Sequence, residues 1–226
     1  MDQETLKKLV GKYATRYVED DMTVGVGSGT TVKYFVEALA EKVKNNNLKI
    51  KCVATSSQTA RQAKRLKLPV YSLCDINQID LTIDGADEID SSMNGIKGGG
   101  AALLREKIVA TNSQKNIWIV DHSKLVKNLG RFPLPVEVIP FGYEQLMEKF
   151  EALGYQPVLR TNETSAIVKT DSNNYILDLH LGKINDPIKL ATILDSTVGV
   201  VEHGLFLNVV DEVVVGNSDG ISVLKR

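Results

Sequence analysis

Two short segments of the chain concentrate carboxylates, a lysine and glycines. The first is residues 84–90 (DGADEID), and the second is residues 97–107 (KGGGAALLREK). The first segment follows the strand-like run 79–83, so its carboxylates are expected where a parallel strand ends, at the usual ligand-binding edge of such a sheet. Glycines before a helix leave backbone N–H groups open to an anion. The combination predicts proton-transfer chemistry on a small anionic substrate.

Glu106 is the candidate general base. On a helix, its neighbours three and four positions away are all apolar: Ala102, Leu103, Val109 and Ala110. A dry environment disfavours the charged form of a carboxylate, which can then accept a proton near neutral pH. Residues 105–107 also form a charge run, and most charge runs are solvated. Spacing alone leaves both interpretations open.

The four acids of residues 84–90 would repel one another unless solvent, a cation or a polyol separates them. Asp84 and Asp87 flank Gly85 and Ala86. A solvated acidic turn is one interpretation, and a Mg²⁺ or Ca²⁺ site is the other, because both ions prefer oxygen ligands. No EF-hand spacing is present, and Lys97 could supply the positive charge. We therefore predict no metal here.

Two further segments offer groups for an anion. Residues 25–31 (GVGSGTT) join a strand to a helix and present serial N–H groups and three hydroxyls. They lack a Walker lysine, and Thr30 stands where GxGxxG has its third glycine, so a plain capped turn is equally compatible. Lys124 follows the strand-like run 116–120 and could meet a phosphate, or belong to a capped helix start.

The hydrophobic pattern alternates between strands and helices up to about residue 128. Helices are predicted at 5–18, 32–43 and up to Arg65, and strands at 22–26, 50–54, 70–73, 81–83 and 116–120. This alternation predicts an α/β fold with a Rossmann-like, mainly parallel sheet and helices on both faces.

Prolines near residue 130 indicate a boundary. Beyond it the predicted strands are 134–139, 155–159, 165–169, 174–180 and one after Thr197, with helices at 143–152 and 186–194. This order predicts a smaller α+β domain with an antiparallel sheet. The apolar runs 209–215 and 221–224 are expected to return to the first sheet. The predicted domains are therefore 1–128 with 207–226, and 129–206.

Composition narrows the class of partner. Lys and Arg number 27 against 28 Asp and Glu, a net charge of −1, which disfavours nucleic acid and membrane surfaces and favours a small molecule. No apolar run approaches membrane-spanning length, and the N-terminus lacks the apolar core of a signal peptide, so we expect a cytoplasmic protein. The three histidines are widely separated, which argues against a zinc site or a Ser-His-Asp triad.

In their order and spacing, the motifs resemble those of ribose-5-phosphate isomerases of the A type. The matching segments are 25–31, 84–88, 97–102 with 105–107, 123–124 and 132–138 (FPLPVEV), which span nearly the whole chain. The resemblance implies interconversion of D-ribose 5-phosphate and D-ribulose 5-phosphate in the non-oxidative pentose phosphate pathway, without metal or cofactor. It also implies a homodimer or homotetramer.

The resemblance also implies residue roles. Glu106 matches the general base that moves a proton between C2 and C1 through a cis-enediolate. Asp84, Asp87 and Lys97 match residues that bind sugar hydroxyls, assist ring opening and stabilise the oxyanion. The implied substrate-binding residues are Ser28, Gly29, Thr30, Thr31, Asp84, Gly85, Ala86, Asp87, Lys97, Gly98, Gly99, Gly100 and Lys124.

Two alternatives come from other classes. A sugar-phosphate sensing module would use the same cradle without chemistry, although the sequence has no DNA-binding helix pair or basic segment. An amino-sugar phosphate deaminase or a coenzyme A transferase would be another enzyme of similar fold. A transferase would use a glutamate as nucleophile and form a thioester that can be trapped.

Overall fold

The computed structural model describes residues 2–226. Within them the α-helices are α1 Gln3–Ala14, α2 Thr30–Asn46, α3 Ser57–Arg65, α4 Leu103–Thr111, α5 Tyr143–Ala152 and α6 Pro187–Asp195. The strands are β1 Thr23–Val26, β2 Lys51–Ala54, β3 Leu81–Asp84, β4 Glu88–Ile89, β5 Gly95–Ile96, β6 Asn116–Asp121, β7 Leu134–Val138, β8 Pro157–Leu159, β9 Tyr175–Leu179, β10 Val200–His203, β11 Leu205–Phe206, β12 Glu212–Asn217 and β13 Gly220–Lys225. Short 3₁₀ helices are Thr15–Tyr17, Leu73–Asp75 and His122–Lys124.

The chain divides into two compact units. The first comprises the residues up to Ala86, Arg105–Lys124 and Val209–Arg226, and the second comprises Asp87–Leu104 and Leu125–Asn208. The sequence predicted two domains, 1–128 with 207–226 and 129–206. That these two parts fold independently remains a prediction.

The first unit is built on a six-stranded sheet in the order β13-β12-β6-β3-β1-β2. All neighbours are parallel except the edge hairpin of β12 and β13. Every residue of β1, β3 and β6 is buried, as expected for parallel strands covered on both faces. The C-terminal strands return to this sheet, and the predicted fold class is confirmed.

The order of the parallel strands positions polar groups at one edge of the sheet. Val26 of β1 is in register with Ile83 of β3, and Asp84 with Trp118 of β6. Because parallel strands end at the same edge, the residues that follow β1 lie beside Asp84. The Gly27 N–H donates to the carbonyl of Ile83 at 2.9 Å, which continues the ladder past the last residue of β1.

The second unit contains an antiparallel sheet in the order β10-β7-β9-β8 and a three-stranded sheet in the order β11-β5-β4. Helices α5 and α6 contribute the buried Phe150 and Leu194 to the core that also contains Leu177 of β9. The predicted antiparallel character of this part is confirmed. The short strands β4, β5 and β11 had no counterpart among the predicted elements.

Two predicted strands are wrong. In the segment 70–73, Val70 forms only an isolated bridge to Cys52. The 3₁₀ helix Leu73–Asp75 follows, because Ser72 Oγ accepts from the N–H of Cys74 at 3.3 Å. In 165–169, only isolated bridges form. There the side-chain oxygen of Asn162 accepts from the N–H groups of two following residues and bends the chain into a turn.

Across residues 2–226, no helix has the length and apolar character needed to cross a membrane.

Candidate functional site

Asp84 lies at the end of β3 and is only 2 % exposed. Its Oδ1 accepts hydrogen bonds from the backbone N–H of Ser28 at 3.0 Å and of Gly85 at 2.7 Å. The sequence-predicted residues Ser28 and Asp84 are therefore brought together within the first unit. These two backbone donors fix the orientation of the carboxylate.

Gly27 allows Asp84 to approach β1 so closely. A Cβ added to Gly27 would lie 2.0 Å from Oδ1 and 2.6 Å from Cα of Asp84. The carbonyl of Gly27 accepts from the Thr59 hydroxyl at 2.9 Å, and Thr55 Oγ1 lies 2.8 Å from Ser28 Oγ. Sequence reasoning missed Thr55 and Thr59. The run of hydroxyl residues directly after β2 was the available signal.

The rest of the glycine-rich turn forms the start of α2. Gly29 occupies the N-cap position and Thr30 begins the helix, and both are exposed. The first N–H groups of a helix have no partner within it, and the helix dipole adds partial positive charge there. Helix α2 has 17 residues, so this end is suited to an anion such as a phosphate.

Lys124 lies in the 3₁₀ helix His122–Lys124 and is half-buried. The buried Asp121, the last residue of β6, fixes this turn by accepting from the N–H and hydroxyl of Ser123. Its other oxygen accepts from Gln3 Nε2 at 3.2 Å. Burial raises the pKa of Asp121, but the hydrogen bonds from Ser123 and Gln3 outweigh it and hold the pKa below its ordinary value.

Glu106 lies in the first turn of α4 and is 4 % exposed. Its helical neighbours Ala102, Leu103, Val109 and Ala110 are all buried. The interpretation of residues 105–107 as a solvated charge run is therefore wrong for Glu106. A carboxylate in such an environment loses most of its hydration.

Asp87 and the glycine loop, residues 97–101, lie in the second unit. The N–H of Gly99 donates to Asp87 Oδ2 at 2.9 Å, so the structure brings these two predicted residues together. Lys97 is only 3 % exposed, and its ammonium lies 5.3 Å from the centroid of the Phe206 ring. A cation over an aromatic face is stabilised even when water is largely excluded.

The remaining acids of the 84–90 segment have structural roles. Glu88 is buried, and its two oxygens accept from the N–H groups of Gly130 at 2.8 Å and Phe132 at 2.7 Å. Asp90 Oδ1 accepts from two backbone N–H groups of the turn that follows it. Backbone donors thus hold both of these carboxylates.

The second unit also groups Asp195, Glu202 and His203, whose potential ligand atoms lie within 4.8 Å of one another. His203 Nδ1 accepts from the N–H of Leu205 at 3.2 Å, which places the ring hydrogen on Nε2, 3.1 Å from Asp195 Oδ1. Because Nε2 carries the hydrogen, this histidine has no lone pair left for a metal. The contact between His203 and Asp195 is therefore a hydrogen bond.

Comparison with known proteins gives concordant matches. The family model for "Ribose 5-phosphate isomerase A (phosphoriboisomerase A)" matches residues 51–220. A protein named ribose-5-phosphate isomerase A from Levilactobacillus brevis is 56% identical over 224 residues, which cover 99% of this chain and 98% of that protein.

Two solved structures match this chain over nearly its whole length. A D-ribose-5-phosphate isomerase in complex with phospho-erythronic acid superimposes with a TM-score of 0.96 at 38% identity, covering 100% of both chains. Ribose 5-phosphate isomerase A from Methanocaldococcus jannaschii has a TM-score of 0.94 at 36% identity, covering 99% of each chain.

Proposed function

The chain belongs to the ribose 5-phosphate isomerase A family, and from this premise we propose how its residues carry out the reaction. It is an aldose-ketose isomerase that interconverts D-ribose 5-phosphate and D-ribulose 5-phosphate. The reaction moves one proton between C2 and C1 and one between the two oxygens. Its barrier is set by the weak acidity of a C–H bond next to a carbonyl.

Glu106 is the base in this proposal. In the forward direction its carboxylate removes the C2 proton of the open-chain aldose, which leaves a cis-enediolate, and returns the proton to C1. The hydroxyl proton of C2 passes to the oxygen on C1, so atoms and charge balance. The burial of Glu106 among apolar side chains carries the proposal, because a poorly hydrated carboxylate is the stronger base.

Negative charge develops on the substrate oxygen during this step. Lys97 and the N–H groups of Gly98 and Gly100 are proposed to stabilise it, while the N–H of Gly99 holds Asp87 beside the substrate. Fixed donors aimed at a developing charge are the largest single contribution in many enzymes, because they need not reorganise during the reaction. Asp84 and Asp87, each fixed by backbone donors, would bind the sugar hydroxyls and assist ring opening.

The phosphate is proposed to bind the N-terminal end of α2 and Lys124. Ser28, Gly29, Thr30 and Thr31 would supply N–H groups and hydroxyls there, and Gly85 and Ala86 would contribute backbone contacts beside Asp84. The related structure with phospho-erythronic acid supports a phosphorylated substrate. The carboxylate of that acid has two oxygens that can mimic an enediolate, so we expect it to inhibit this protein.

Three further expectations follow the family. We propose that the protein acts in the cytoplasm in the non-oxidative pentose phosphate pathway, and that it assembles as a homodimer or homotetramer. We also propose that it needs no metal or cofactor, because a base and fixed donors suffice for enediolate chemistry.

The test is ketose formation from ribose 5-phosphate in the presence of EDTA, with Glu106→Gln run alongside. We expect turnover to survive the chelator and to fall by about 10²–10⁴-fold in the variant. The matched control is Glu212→Gln, another buried glutamate, located where β12 begins and thus at the opposite edge of the sheet. It should keep wild-type turnover.

Near wild-type turnover in Glu106→Gln would refute its role as base. Saturable binding of ribose 5-phosphate by the wild type without any turnover would instead support the sensing module.

A further inference from the structure

We propose that Arg160 is a positioning residue that orients the peptides of the glycine loop, and that Asp178 holds Arg160 in place. The inference rests on the proposed function of the loop as the donor of hydrogen bonds to the developing oxyanion. All the residues involved lie in the second unit.

The first step is the rigid pairing of Arg160 with Asp178. Arg160 directly follows β8, and Asp178 lies on the neighbouring strand β9. Arg160 Nε donates to Asp178 Oδ2 at 2.7 Å, and Nη2 donates to Oδ1. The two side chains are only 13% and 18% exposed. A bidentate pair fixes the plane of the guanidinium, which a single point charge cannot do.

The second step is the contact with the loop. The remaining nitrogen, Nη1, donates to the carbonyl of Gly98 at 2.7 Å and to that of Gly99 at 3.2 Å. The Gly98 carbonyl also accepts from the N–H of Ala101 at 3.0 Å, which closes a tight turn. One arginine therefore holds two successive peptides of a segment that has little conformational preference of its own.

The third step concerns the opposite side of those peptides. In a trans peptide the C=O and the following N–H point in opposite directions. With both carbonyls directed at Arg160, the N–H groups of Gly99 and Gly100 point away from it. The Gly99 N–H meets Asp87 Oδ2 at 2.9 Å. The Gly100 N–H projects to the same side, and Gly100 is exposed, with no atom within 4 Å of an added Cβ.

Arg160 thus sets the direction of the donors without touching the substrate. If the guanidinium is removed, the loop keeps its sequence and its glycines but loses the contact that selects one peptide orientation. Donors that must reorganise during the reaction stabilise the transition state poorly, while the ground state loses little. The expected effect therefore falls on kcat rather than on KM.

The experiment compares Arg160→Met, Arg160→Lys and Asp178→Asn with the wild type. For Arg160→Met we expect kcat to fall by about 10²-fold, since misplacement of catalytic groups by about 1 Å has that effect. KM should change less than about threefold. The inhibition constant of phospho-erythronic acid should rise by about the same factor as kcat falls. The inhibition constant of inorganic phosphate should not change.

The other two variants test the mechanism of positioning. Arg160→Lys should not restore kcat. A lysine ammonium cannot bind both oxygens of the Asp178 carboxylate and at the same time donate to the carbonyls of Gly98 and Gly99. Asp178→Asn should lower kcat, because it frees Arg160 from its fixed orientation. The double variant Arg160→Met with Asp178→Asn should have the same kcat as Arg160→Met alone.

The matched control is Thr170→Val in the same unit. The buried Thr170 hydroxyl donates to Glu137 Oε1 at 2.8 Å, so its loss should lower the melting temperature but leave kcat unchanged. If Arg160→Met behaves like this control, with a lower melting temperature and wild-type kcat, Arg160 is structural and the inference is wrong. Equal weakening of both inhibitors would also overturn it, because that indicates general loosening.

The inference and the proposed function fail differently. Full turnover in Glu106→Gln removes the proposed base but says nothing about Arg160. Wild-type kcat in Arg160→Met removes the positioning role while leaving Glu106 in place.

Discussion

Replacing Gly27 by alanine tests the geometry that places Asp84 at the sheet edge. The new Cβ would lie 2.0 Å from Oδ1 of Asp84 and 2.6 Å from its Cα. Carbon contacts in proteins are ordinarily about 3.5–4.0 Å. Because one of the clashing atoms belongs to the backbone, a simple rotamer change of Asp84 cannot relieve the overlap.

The magnitude follows from the contacts that a shift would break. A displacement of Asp84 by roughly 1.5 Å would be needed to bring its shortest contact into this range. It would stretch the hydrogen bonds from Ser28 and Gly85, now 3.0 and 2.7 Å long, beyond bonding range. A hydrogen bond to a charged group contributes about 1.5–3 kcal/mol, so two lost bonds lower the free energy of unfolding by about 3–6 kcal/mol. That is a large part of the 5–15 kcal/mol typical of a folded protein.

Urea unfolding measures the effect. The chain has one tryptophan, Trp118, which is buried in β6 in register with Asp84, so its fluorescence reports on this part of the sheet. Gly85→Ala is the matched control, since its added Cβ would have the Ser28 carbonyl oxygen 3.7 Å away, an ordinary contact. We expect the control to change the unfolding free energy by less than about 1 kcal/mol. A Gly27→Ala protein within that same margin would refute the close-approach argument.

Two further predictions concern the first unit. Burial raises the pKa of Glu212, but hydrogen bonds from Lys115 at 2.6 Å and Tyr17 at 3.0 Å outweigh it and hold the pKa below its ordinary value. The wild type should therefore be more stable than Glu212→Gln by about 1–3 kcal/mol at pH 7. This difference in unfolding free energy should shrink as the pH falls below about 4.5 and vanish below the folded-state pKa of Glu212. A constant difference down to pH 3 would contradict the prediction. Burial raises the pKa of the Cys52 thiol to about 12, whereas Cys74 is exposed. A disulfide reagent at pH 8 should thus label one thiol per native chain and two after unfolding, and rapid labelling of both in the native protein would contradict the burial of Cys52.

The mainly parallel sheet could be predicted because its strands carry their signal locally. β1, β3 and β6 are buried along their whole length, and each appears in the sequence as a short segment rich in Val, Ile or Leu. Helix α5 was predicted with its observed bounds, Tyr143–Ala152, because apolar periodicity marks such a helix.

The errors arise where side-chain contacts with the backbone decide the conformation. Residues 70–73 and 165–169 are apolar enough for strands, but a serine cap and an asparagine turn divert the chain at each place. The short strands β4 and β5 contain two residues each, too few for any period to be recognised.

The candidate site was predictable in its residue types but not in its partners. Dense acids and glycines stand out in any reading, whereas Arg160 lies about 60 residues from the glycine loop in sequence and has no local signal. Its importance comes from long-range pairing of β8 with β9, which brings Asp178 beside it. The buried Glu88 was likewise read only as part of an acidic run, since its donors, Gly130 and Phe132, are more than forty residues away.

Two aspartates of the acidic segment, Asp84 and Asp87, are each held by backbone donors. Asp84 accepts backbone N–H groups within the first unit, and Asp87 accepts the N–H of Gly99 within the second. Charge-assisted bonds of this kind stabilise the ionised carboxylate and orient it at once. Each unit therefore fixes one aspartate through its own peptides. A carboxylate that is already held in one orientation can accept a hydrogen bond from a sugar hydroxyl without first reorganising, which is what the role proposed for Asp84 and Asp87 requires.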